Sequence, residues 1–149
     1  MTRVCLVGSP EVDVSYELFS RETSRAALST YDVRRPFENA IAVDTVSLGA
    51  AVSLLNDLNW YLVRFTDVAL VLEPSVSEDE WLSRAMASAV RDGTVRPEES
   101  GEYLAVYGVE DGRLVEPMYV TRVGGEVPSY DLRDVEETAV VRITPDERE

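Results

Sequence analysis

The sequence predicts a single-domain α+β fold, with a mixed or mostly antiparallel sheet and two or three packed helices. Three observations predict it. Strand-length apolar runs rich in Val, Ile and Tyr recur along the chain. Two stretches, "SLGAAVSLLNDLN" and "SVSEDEWLSRAMASAVRDG", interrupt them with helical spacing and helix-start residues. Finally, "YLAVYGV" and "RLVEPMYVTRV" flank "EDGR", so sequence neighbours pair locally rather than through crossovers.

"RVCLVG" (3–8) is an apolar run ended by Gly8 and Pro10, hence a buried strand. "DVSYELF" is equivocal between strand and helix. "ETSRAALSTY" (22–31) has no Gly or Pro and reads as a helix, broken by "RRPF" because the residue before Pro36 is pushed out of the helical region. "NAIAVDTV" (39–46) reads as a strand. Ser47 is the candidate cap of a helix whose Leu48, Ala51, Val52, Leu55 and Leu58 recur at helical spacing.

"WYLVRF" and "VALVLE" then read as a hairpin, although Leu62 and Phe65 would also continue the helical stripe. The clearest helix is expected over 77–91. There Ser77 and Glu80 match a capping box, Glu78 and Asp79 suit the first turn, and Gly93 is the C-cap. The Asp111-Gly112 turn sets the hairpin register: Glu110 opposite Arg113, Val109 opposite Leu114, Tyr107 opposite Glu116, Ala105 opposite Met118, Tyr103 opposite Val120. Pro117 marks an edge strand or a bulge. "TAVVRI" (138–143) is a candidate last strand and "TPDERE" a solvated tail. The expected organisation is a compact α+β domain over 1–125 and a C-terminal extension over 126–149.

The 149 residues are enough for one real core, and 45% are hydrophobic. Net charge is −14, from 28 acids against 14 arginines, with no lysine, histidine or glutamine. Self-repulsion of this size destabilises a compact chain in dilute salt, whereas at molar ionic strength a Debye length of ~3 Å screens most of it. The composition therefore predicts a cytoplasm at molar salt. Disorder does not explain the acidity, because the apolar content is high and patterned. No run reaches the ~18 apolar residues of a membrane helix. The start lacks a signal peptide's apolar region, so a soluble cytoplasmic protein is expected.

The missing residue types exclude chemistry. Without histidine there is no Ser–His–Asp or Cys–His catalysis and no histidine zinc site. One cysteine, Cys5, makes neither a disulfide nor a thiolate metal knuckle, and in an apolar strand it reads as a buried hydrophobe. Without lysine there is no Walker loop and no Schiff base. No cofactor, metal site or catalytic set is expected. The acid groups at 78–80, at Glu98, Glu99 and Glu102, and at Glu136 and Glu137 read as capping and solvated surface rather than Mg²⁺ ligands. Asp44, inside an otherwise apolar strand, is either a buried, paired acid or a solvent-facing one.

Arg34 and Arg35 are the chain's only adjacent cations. They are the best anion-site candidates, set against a surface ion-pair network with Asp32 and Glu38. Tyr103, Tyr107 and Tyr119 are candidate interface residues. With no basic groove to accompany the aromatics, nucleic acid is not an expected partner.

The stretches "RPFENAIAVDTVSLGAAVSLLNDLNWYLVRF", "EPSVSEDEWLSR" and "VYGVEDGRLVEPMYVTR" resemble a family of small uncharacterised acidic proteins from extremely halophilic archaea, up to Gly124. The resemblance implies a haloarchaeal cytoplasmic protein and brings no activity or site. The expected function is a non-enzymatic module that binds a protein partner or self-associates. The alternatives are a small Mg²⁺ enzyme built on Asp44 and nearby acids, or a binder of a small anion at the Arg pair.

Overall fold

The computed structural model describes residues 1–123 and 137–147. The expected ending at Gly124-Gly125, the 125/126 boundary, Glu136 and the last two residues of the tail lie outside the described residues.

The chain enters through β1 (Thr2–Gly8), buried along nearly its whole length. "DVSYELF" resolves as α1 (Val14–Phe19), because the Asp13 carboxylate accepts the Tyr16 N–H and caps it. Next come α2 (Glu22–Leu28) and β2 (Ala40–Thr45). Ser47 caps α3 (Leu48–Asp57) as expected, accepting from the Ala50 N–H.

The expected hairpin over 60–72 does not form. Its first half is α4 (Asn59–Phe65), which restarts the helix immediately after Leu58. Its second half is the strand β3 (Thr66–Leu72). Leu62 continues the buried stripe of Leu55 and Leu58, and burial of that stripe outweighs the strand preference of Trp, Tyr and Val.

The helix expected over 77–91 also starts later. Ser77 Oγ accepts the Asp79 and Glu80 N–H groups in a turn, and Trp81–Ser83 forms the short strand β4. The helix, α5 (Arg84–Asp92), is capped by Ser83, which accepts from the Met86 N–H. Glu80 does not return to the Ser77 N–H, which goes to the Glu73 carbonyl instead. Gly93 ends α5 at φ 80, as expected.

The chain finishes with β5 (Tyr103–Glu110), β6 (Arg113–Thr121) and β7 (Glu137–Ile143). The seven strands form one sheet in the order β2-β1-β3-β4-β7-β5-β6. All neighbours are antiparallel except β4 and β7. The fold class is α+β, with five α-helices among the described residues rather than two or three. The strand of the C-terminal extension lies inside the sheet, between β4 and β5.

The helices cover one face, where Val4, Leu6, Ile41, Val43, Val71 and Leu82 meet Leu18, Leu55, Leu58 and Met86. The opposite face joins β1, β2 and β3 to β5 and β7 through Cys5, Ala40, Ala42, Leu70, Ala105 and Val141. Four of these six are small, which lets the two halves of the sheet approach each other. Strand twist accumulates across a sheet in one hand. Here the sheet curls until the turn of its last hairpin touches the segment entering β2 at the far edge: the Glu38 N–H donates to the Gly112 carbonyl at 2.7 Å. No helix among the described residues is long and apolar enough to cross a membrane.

Candidate functional site

The β5–β6 hairpin turns as expected. Asp111 and Gly112 both take positive φ, 53° and 78°, and Glu110 faces Arg113 with Val109 facing Leu114. Beyond Leu114 the register differs from the sequence expectation. Tyr107 lies opposite Pro117, Ala105 opposite Tyr119, and Tyr103 opposite Thr121. β6 carries one extra residue between Leu114 and Pro117, a bulge. Proline cannot donate to the ladder, so the strand kinks where Pro117 sits, on the sheet edge. The kink has a consequence for side chains. A one-residue slip exchanges the faces of a strand, so Tyr119, rather than Met118 and Val120, joins the face of Tyr107.

Together the two tyrosines line a cavity of about 760 Å³ between the hairpin and the ends of β1 and β3. Val7, Val68 and Leu114 supply apolar wall. The segment beneath is fixed by Asn39, which sits at φ 52. Its Nδ2 donates to the carbonyls of Ser9 and Val12, and its Oδ1 accepts the Val14 N–H. Gly8 lies directly against it; a Cβ there would fall 2.6 Å from Asn39 Nδ2. Among the described residues the cavity is lined by five acids, Glu38, Asp67, Glu110, Asp111 and Glu116, against one arginine, Arg113. Burial, reinforced by Tyr119, Glu147 and Asp67, pushes the Tyr107 phenol up to about 12. Tyr107 is therefore a neutral hydrogen-bond donor at any physiological pH. Tyr119 is 41% exposed. Tyr103 packs against the inner core and does not line the cavity.

Arg34 and Arg35 do not converge. The Arg34 backbone bridges to Ala42 on the outer side of β2, and its guanidinium lies 3.5 Å from Asp44 Oδ2. Arg35 instead donates to Ser15 Oγ, in α1, at 2.8 Å. Asp44 is paired but only half-buried: Arg3, its cross-strand neighbour, donates to Oδ1 at 2.9 Å and holds the carboxyl below its ordinary range. Cys5 is a fully buried thiol, pushed up to about 12 by its burial. Among the described residues, no three acid or thiol side chains converge as ligands for a metal ion.

Sequence reasoning missed the best-ordered charges. Glu80 accepts from Arg122 Nη2 at 2.7 and 2.8 Å and from Arg142 Nε at 2.8 Å. Arg122 Nε also donates to the Gly101 carbonyl, and Arg142 Nη1 to Ser100 Oγ. Burial pushes Glu80 up, but these hydrogen bonds outweigh it and hold the carboxylate below its ordinary range. The cluster ties the end of β6 to β7 and to the start of β4, and so fixes where the hairpin sits. The alternation of Arg142 with buried residues in "TAVVRI" was the only available signal.

This architecture defines a class: a small α+β protein whose curled mixed sheet opens, under its last hairpin, into an acidic cavity lined by tyrosines. The chain belongs to DUF5804, a family of unknown function, whose model matches residues 2–109. The match takes in β1 through Val109 and stops short of the turn, so Tyr107 lies inside it and Tyr119 outside. No curated protein and no solved structure matches the chain.

Proposed function

We propose that the protein is a non-enzymatic module that binds a protein partner through the tyrosine side of the β5–β6 hairpin. One observation carries this reading: Tyr107 and Tyr119 are turned together onto a cavity large enough for a side chain or short segment, with Tyr119 open to solvent. Tyrosine is enriched where partners dock, because it offers a large amphipathic surface at little entropic cost. The working environment is read as the molar-salt cytoplasm of an extremely halophilic archaeon. Supporting it are the net charge of −14 and the use of arginine as the only basic residue.

Site-specific photo-cross-linking tests the docking face. A photoreactive phenylalanine analogue at position 119 should give one defined adduct, diminished by Tyr107→Ala, whereas the same analogue at exposed Val63 on α4 should not. A self-adduct would identify the partner as a second copy. Equal adducts from both positions, or none from 119, would overturn the assignment.

A further inference from the structure

Resting on the reading of the protein as a binding module, we propose that the free edge of β3, Thr66–Ala69, pairs with an extended segment of the partner carrying a basic side chain. β3 pairs with β1 from Leu72 to Val68 and again at Thr66, with Asp67 bulged between them, and the Thr66 N–H donates to the Leu62 carbonyl at the end of α4. On its other side, among the described residues, only Leu70 and Val71 have strand partners, Ser83 and Leu82. β4 stops there because Ser83 caps α5, which begins at Arg84 and turns the chain away. Among the described residues no strand occupies the remaining edge, and it is not buried: Asp67 is exposed, and Thr66, Val68 and Ala69 are half-buried.

The other two sheet edges are protected. The outer side of β2 takes the Arg34 bridge, and β6 is blunted by Pro117 and its bulge. The β3 edge has no such strap and no proline, although Asp67 is itself bulged on the β1 side. It borders a second cavity, of about 570 Å³, which shares Asp67, Val68 and Tyr107 with the tyrosine cavity. An extended chain rises ~3.3 Å per residue, so four to five residues of a partner would span the edge. Main-chain hydrogen bonds would give affinity, and alternate side chains would enter the two cavities.

Charge decides the character of one of those side chains. Among the described residues, Glu38, Asp67, Glu110, Asp111 and Glu116 face Arg113 alone around the tyrosine cavity. In the second cavity Arg84 already donates to the Leu55 carbonyl and Asn56, and Glu147 already accepts from Ser83 and Thr144. A guanidinium or ammonium over a tyrosine face with carboxylates beside it is favourable even when desolvated. Such contacts act at a few ångströms, within the screening length of molar salt.

The test uses the whole protein in 1 M KCl and a set of capped five-residue peptides, Val and Thr alternating, with one Arg moved through the five positions. Amide hydrogen exchange should slow saturably at Asp67–Ala69 for at least one register. Replacing its Arg by Glu should weaken binding at least ten-fold, and N-methylating its alternate backbone nitrogens should abolish it. Unchanged exchange with every peptide, or equal binding of the N-methylated form, would overturn edge pairing. If position 119 still cross-links a partner in that event, the binding-module reading stands and only the β3 edge is lost. If both fail, both fall.

Discussion

Arg122 donates to both carboxylate oxygens of Glu80 through one nitrogen, at 2.7 and 2.8 Å. The two residues belong to segments that are not neighbours in the sheet, since β7 and β5 lie between β4 and β6. With Arg142 on the same carboxylate, the contact clamps the hairpin end to the middle of the fold. Glu80→Gln keeps the shape but leaves two arginines, 20% and 14% exposed, without their counter-charge. Breaking a buried pair from one side costs about 3 kcal/mol, and urea titration at fixed molar salt should show a loss of that order. A loss under about 0.5 kcal/mol, the range of ordinary surface changes, would mean the clamp is dispensable.

The same pair sets a pH dependence. Glu80 is held below its ordinary range in the folded chain. Its contribution is therefore complete above the unfolded value, near 4.5, and is lost as pH falls through the lower folded value. The stability difference between wild type and Glu80→Gln should be flat above about pH 5, where unfolded glutamate is ionised, and should shrink below that. A difference that grows on acidification would contradict the sign.

Ser83 caps α5 and donates to Glu147 at 2.7 Å. Ser83→Ala should cost roughly 1–2 kcal/mol, the cap plus a lost hydrogen bond to a carboxylate. Ser77→Ala, which disturbs only a turn, should cost less. Chemical denaturation of the two variants compares them directly, and the reverse order would place the helix start at Ser77 after all.

Gly8→Ala should be more damaging than an ordinary strand substitution. Its Cβ would lie 2.6 Å from Asn39 Nδ2 and 2.8 Å from Val14 Cβ, and Asn39 is held by three hydrogen bonds. Overpacking of this kind costs about 1–3 kcal/mol. A thermal melt no lower than wild type would show that the loop under the cavity is softer than its hydrogen bonds imply.

Salt should act in the opposite direction. With a charge of −14, screening relieves repulsion, and the melting temperature should rise by at least about 5 °C between 0.1 and 3 M KCl. That is roughly 2 kcal/mol for a chain of this size. An unchanged midpoint would remove the basis of the molar-salt reading.

Much of this was legible in residue pattern. β1, β2, α3 with its Ser47 cap, the Gly93 stop and the Asp111-Gly112 turn all follow from local chemistry. The two misread helix starts share one cause, in that tertiary partners overrode a local signal, whereas the hairpin register slipped at the local bulge before Pro117. Trp60–Phe65 has strand composition, but Leu62 belongs to a buried helical stripe. Ser77 and Glu80 have capping-box spacing, but Glu80 is claimed by two arginines more than forty residues away. The site was half legible. Tyr107 and Tyr119 could be named, but only the bulge before Pro117 puts them on one face. The β3 edge depends on where β4 stops, which no local pattern encodes.

The central claim is that the tyrosine face of the hairpin is where a partner binds. Its most direct test is the dissociation constant of the cross-linked partner, purified, for wild type and for the Tyr107→Ala/Tyr119→Ala double variant in molar KCl. Trp60→Ala, on the helix side, is the control. Truncating two interface anchors should weaken binding by at least about 30-fold, or 2 kcal/mol, with the control unchanged. Equal affinity of the double variant and wild type, both folded by circular dichroism, would contradict the account.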